Sequence, residues 1–122
     1  MGTLRLSALQ KWILVNCYNV TVLKNYTAIK PLNDCQRNHR PYFWRYDVFL
    51  SWFKLEKSSQ CGFLRPCRIK ATKDYYTAQA ILQRTLKSLF FKGYIKDPRD
   101  MQIIELEAAG EEKARELLKL YV

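Results

Sequence analysis

Apolar and polar positions alternate along this chain with a helical rhythm in four places. Near the start, Leu6, Leu9, Ile13, Leu14 and Cys17 line one stripe of a helix with Trp12 beside them, and Ser7 stands where a cap is needed. The end of this helix is blurred, because "NVTV" carries the β-branched residues of a strand. In "RYDVFLSWFKL", Val48, Phe49, Trp52 and Phe53 share one side of a short second helix, with Asp47 able to cap its first turn. A third helix is predicted over residues 77–92, where Ala78, Leu82, Leu86 and Leu89 face away from Gln79, Gln83, Arg84 and Lys87, and Gly93 ends it in a left-handed conformation. The fourth, over 107–121, carries the stripe Ala114, Leu117, Leu118 and Tyr121.

Between these helices the rhythm breaks. Residues 24–44 contain Pro31, Pro41 and Asn33-Asp34 without sustained periodicity, and 56–76 form a basic connector with Lys57, Arg65, Arg68, Lys70 and Lys73. Each is long for a loop in a compact domain, and both are expected to be insertions or long loops. Over 94–106, two apolar runs flank Asp97-Pro98-Arg99-Asp100, which is turn chemistry between two short strands. Trp12, Phe49, Trp52 and Phe53 are assigned to the core, and Tyr75 and Tyr76 to packing around the start of the third helix.

A length of 122 residues with 48% hydrophobic content supports one domain over 1–122, mainly α with a small β-hairpin (an α+β fold). No apolar run is long enough for a membrane span, and "WILVNCYNVTVL" lacks a signal-peptide cleavage pattern, so a cytoplasmic protein is expected, in the host cytoplasm if the source is viral. The sequons at Asn19 and Asn25 matter only in a secreted protein. Charge sharpens the picture. Residues 1–99 hold 18 Lys and Arg against 5 Asp and Glu, whereas residues 100–122 hold 3 against 6. A basic body with a mildly acidic tail suits a polyanionic partner, whose condensed counterions are released on binding.

Three segments, "LSALQKWILVNCY", "AQAILQRTLKSLFFKGYI" and "IIELEAAGEEKARELL", resemble the winged helix-turn-helix proteins, the group that includes the MarR-like and PadR-like transcription regulators. The most specific part is Arg84-x-Leu86-x-x-Leu89 followed by Lys92-Gly93-Tyr94-Ile95, which is similar to the end of a recognition helix and the start of a wing. The resemblance implies a single winged-helix domain with long insertions, in which helix 77–92 enters the major groove of double-stranded DNA and hairpin 94–106 forms the wing. In that role Gln79 and Gln83 would meet adenine edges or phosphates, Arg84 would grip guanine, and Tyr76 and Thr77 would touch phosphate at the helix start. Lys87 lies on the same face; for it and Arg84 the alternative is a merely solvated helix surface. By resemblance alone, Lys96 and Arg99 would reach the neighbouring backbone. The chain departs from the group in its 21-residue connector between the second and third helices, whose Arg68, Lys70 and Lys73 would extend the phosphate footprint if it stays clear of the groove. Group habit also implies a homodimer through the C-terminal helix, although its stripe can equally cover helix one.

Cys35, His39, Cys61 and Cys67 supply four soft ligands, the number a structural zinc needs, but the Cys61-x5-Cys67 spacing is wider than usual and no metal or other cofactor is expected. Free thiols are the expectation, with a Cys61–Cys67 disulfide as the alternative. With one His, four Gly and no paired-carboxylate or phosphate-loop motif, no enzyme is expected. The alternative function is a protein-interaction or assembly module on the same scaffold, seeded by Phe90 or Phe91 beside Tyr94.

Overall fold

The computed structural model describes residues 5–23, 43–56, 69–98 and 103–119. Its elements are helix α1 (Ala8–Thr21), strand β1 (Phe43–Trp44), helix α2 (Arg45–Ser51), helix α3 (Lys73–Phe91), strand β2 (Ile103–Ile104) and helix α4 (Ala108–Lys119). The described chain is therefore mainly helical with a small antiparallel sheet.

Helix α1 is the centre of the fold and packs against α4, α3 and β1. Ser7 starts it with a reciprocal cap: its Oγ accepts from the Gln10 amide at 3.2 Å, and Gln10 Oε1 accepts from the Ser7 amide at 2.9 Å. The strand-like "NVTV" stays helical through Thr21, because Val20 is buried and the Thr21 hydroxyl donates back to the Cys17 carbonyl. Tertiary burial thus overrides local propensity. The stripe Leu6, Leu9, Ile13, Leu14 and Cys17 is buried as its spacing predicts. The Cys17 thiol donates to the Ile104 carbonyl at 3.3 Å, and burial pushes its pKa up to about 12, so it stays a neutral packing group.

The two paired strands are not neighbours in sequence. Phe43 faces Ile104 and Trp44 faces Ile103 in an antiparallel register, so β1 occupies the last two residues of the segment read as an irregular excursion. The expected 94–106 ribbon survives as one antiparallel bridge, Ile95 to Leu106, flanked by the Lys96 amide donating to Glu105 O and the Glu107 amide to Tyr94 O, both at 2.9 Å. Arg99 and Asp100 of its turn lie outside the described residues.

At the start of α2, Asp47 acts from the third helical position: its Oδ2 accepts from the Trp44 amide at 2.9 Å. Only 3% of Asp47 is exposed, and burial pushes its pKa from 3.8 up to about 7, against the smaller lowering effect of the Trp44 amide. The folded chain therefore holds this proton more tightly than the unfolded chain. The resulting stabilisation is full below about pH 4 and is lost as pH rises through about 7. Asp47→Asn keeps an acceptor for Trp44 and removes the titration. In urea unfolding it should match the native chain near pH 4 and exceed it by on the order of a few kcal/mol at pH 8; parallel pH profiles would contradict this.

Helix α4 settles where its apolar stripe goes. Ala114 and Leu117 are buried in the core shared with α1, so these two positions of the stripe are covered within the chain, while Leu118 is half-buried. Tyr121 lies outside the described residues. Trp52 also departs from expectation: it is 36% exposed, its ring tilted against that of the half-buried Trp12 at 5.6 Å, while Phe49 is buried and Phe53 half-buried. No helix among the described residues is long and apolar enough to cross a membrane.

Candidate nucleic-acid interface

Helix α3 runs for 19 residues, about 28 Å at the standard rise. It begins four residues before the predicted start. Thr72 caps it, accepting from the Tyr75 amide at 3.2 Å, Asp74 complements the positive end of the helix dipole, and Tyr75 sets its ring edge-on against Phe49 of α2 at 5.2 Å. Tyr76 and Thr77 are consequently in the second turn. The placement of both at the helix start, where free amides bind phosphate, is corrected. The Thr77 hydroxyl donates to the Lys73 carbonyl at 3.1 Å, whereas Tyr76 is 60% exposed, with its ring tilted against that of Tyr75 at 5.4 Å.

The other end closes as the glycine predicts. Gly93 has φ +80°, its amide donates to Phe90 O at 2.9 Å, and the Tyr94 amide reaches Leu89 O at 3.1 Å. This pair of bonds satisfies the last carbonyls and turns the chain toward Ile95.

Ala78, Leu82, Leu86 and Leu89 are buried in the core, which fixes the rotation of α3. With about 100° per residue, Lys73, Thr77, Ala80, Arg84, Lys87 and Phe91 then run down the opposite side at alternating spacings of four and three, all exposed. Gln83 is exposed beside this stripe, and Gln79 is half-buried at its edge. From Tyr75 to Lys96 there is no Asp or Glu. Lys73, Arg84 and Lys87 make no ion pair among the described residues, and Lys87 Nζ stands 5.9 Å from the centre of the Phe91 ring.

The remaining candidates are scattered. Lys96 pairs with Glu105 at 3.2 Å across the bridge. Lys70 Nζ approaches Glu56 at 4.0 Å, both exposed, and the Lys70 amide donates to Glu56 O at 2.9 Å. That backbone bond ties the two ends of the connector together beside α3, with Lys54 turning the chain at φ 58° just before it. Arg68 and Arg99, like Cys35, His39, Cys61 and Cys67, lie outside the described residues. Among the described residues no group of three or more His, Cys, Asp or Glu is placed to hold a metal.

Phe91 is the member of the stripe that sequence reasoning did not assign to this face. It is 72% exposed and lies seven residues beyond Arg84, two turns further down the same side. The signal was present in that spacing, but the sequence reading places Phe90 or Phe91, beside Tyr94, in the alternative protein-interaction surface.

The stripe can meet an extended polyanion along about five helical turns without a carboxylate of its own to repel it. Comparison of the chain with known protein families, curated proteins and solved structures found no match, so the arrangement of its own residues carries the functional conclusion.

Proposed function

We propose that this chain is a DNA-binding protein of winged helix-turn-helix type, a transcriptional regulator that reads duplex DNA with α3 in the major groove and touches the adjoining backbone with residues 94–106. The observation that carries the proposal is the exposed stripe of α3, in which Lys73, Arg84 and Lys87 stand free of ion pairs among the described residues while the opposite face is locked into the core. The major groove, about 12 Å wide, admits one helix and distinguishes all four base pairs.

Element order adds support. A strand between the first and second helices pairs with the last strand before α4, and a bridge joins that last segment to the chain leaving α3. A winged-helix scaffold uses the same order to brace its recognition helix from behind. Arg45 reinforces this corner by donating from its guanidinium to the Pro98 carbonyl, tying the start of α2 to the end of the first wing segment. Lys96 reaches a phosphate only by leaving Glu105, so its share of the binding is the smaller one.

Arg84 is assigned the base contact, as the most central cation of the stripe and the residue type that forks onto guanine. Arg84→Ala is expected to relax sequence preference at one position by about 1–3 kcal/mol. Selection from a randomised duplex pool by the native and variant proteins measures this. An unchanged selected motif would remove Arg84 from the reading surface.

A further inference from the structure

Resting on the DNA-binding proposal above, we infer that Phe91 is a specificity residue of that surface, and that it reads the methyl group of a thymine in the major groove. The starting point is a mismatch of chemistry. A helix face that bound only phosphate would carry cations and hydroxyls, yet the stripe ends in a phenyl ring that is 72% exposed. Its ring contacts are Phe90 at 5.6 Å and Lys87, whose ammonium stands 5.9 Å from its centre.

Position selects the partner. Phe91 lies on the line that carries Lys73, Arg84 and Lys87, so any polyanion drawn to those cations meets the ring as well. In the major groove the one apolar feature on a base edge is the thymine C5-methyl group, and phenylalanine is among the side chains that contact it. Seven residues of helix separate Phe91 from Arg84, about 10 Å along the axis, or roughly three base-pair steps at 3.4 Å each. The recognised sequence therefore holds a thymine about three steps from the guanine that Arg84 grips. Ala80, exposed one turn on the other side of Arg84, leaves the helix slim enough there for the groove floor to approach.

Lys87 supports the arrangement. Beside the ring, its charge neutralises phosphate at the position where burial of the phenyl group would otherwise leave the DNA backbone unpaired. A surface made for a protein partner would also use an exposed phenylalanine, but Arg84 and Lys87 in a run free of Asp and Glu from Tyr75 to Lys96 favour nucleic acid over an average protein surface.

The test uses the native chain, Phe91→Ala and a duplex pool with a randomised core. The native chain should enrich a motif containing one thymine position that Phe91→Ala no longer enriches, with the guanine position retained by both. The selected duplex is then made with that thymine replaced by uracil, which removes only the methyl group. Native binding should fall by about fivefold or more, a typical single-position loss, and Phe91→Ala should bind both duplexes alike. Equal native affinity for the thymine and uracil duplexes would overturn the inference and leave the DNA-binding proposal standing. Failure of the native chain to bind any duplex at low salt would overturn both and pass the Phe91 surface to a protein partner.

Discussion

A chain carrying Arg84→Glu and Lys87→Glu is expected to bind duplex DNA on the order of a hundredfold more weakly than the native chain, and with a salt dependence shallower by about one phosphate contact. Both side chains are exposed on the outer face of α3 and neither takes part in the core, so the folded helix should be retained. One lost base contact of the arginine type costs about 1–3 kcal/mol, and each phosphate contact removed lowers the steepness of the salt dependence by about one. Two reversed charges add repulsion to the loss, which makes a hundredfold the lower end of the range at about 1.4 kcal/mol per tenfold. The check is a fluorescence anisotropy titration of both proteins on one labelled duplex, with circular dichroism to compare helix content. Equal affinities with intact helix content would mean that α3 is not the interface.

The largest expected effect on stability comes from one methyl group. Gly110 is buried in the first turn of α4, and a Cβ built there would lie 1.9 Å from the Tyr94 carbonyl oxygen and 3.2 Å from Leu106 Cδ2. That carbonyl has no room to yield. It accepts from the Glu107 amide at 2.9 Å, while the Tyr94 amide closes the end of α3 by donating to Leu89 O at 3.1 Å. Moving the Tyr94 peptide therefore loosens the start of α4 and the cap of α3 together. Overpacking of this kind costs about 1–3 kcal/mol and sometimes more, against a gain of about 1 kcal/mol for replacing glycine by alanine in an open helix. Because the clash is with backbone, Gly110→Ala should lose on the order of 2 kcal/mol in urea unfolding, the upper end of that net range. A variant as stable as the native chain, or more so, would show that α4 does not rest on Tyr94 as described.

The same contacts explain what could be read from the sequence and what could not. The rotation of α3 was legible, because Ala78, Leu82, Leu86 and Leu89 repeat at helical spacing and are all buried. Its start was not. The cap at Thr72 is local, but the reason the first turn holds lies in Phe49, more than twenty residues earlier, and no periodicity reports a contact across that distance. Strand β1 was hidden for a related reason: two residues carry no alternation, and Ile103–Ile104, the partner that makes Phe43–Trp44 a strand, lies at the far end of the chain. The stripe of α4 was visible, yet a stripe says only that it is covered, and which element covers Ala114 and Leu117, here α1, is not written in its spacing.

The candidate site divides in the same way. Arg84 and Lys87 fell on the outer face as their spacing requires, since the buried leucines leave them nowhere else to point. Tyr76 and Thr77 shifted from the helix start to its second turn when the helix proved longer. Lys96 was drawn to Glu105 by a cross-bridge pairing that a linear sequence does not display. Phe91 joined the face because Gly93 ends the helix only after it, which keeps the phenylalanine in register with Arg84.

Binding of duplex DNA by the exposed face of α3 is the proposal on which the rest depends. It is tested most directly by titrating a labelled mixed-sequence duplex with the native chain at several salt concentrations and following anisotropy. Affinity that falls linearly in log salt with a slope of about −4 or steeper is the predicted result, as roughly four or more phosphates are neutralised by the cations of α3 and its surroundings. No binding at low salt, or binding indifferent to salt, would contradict the account.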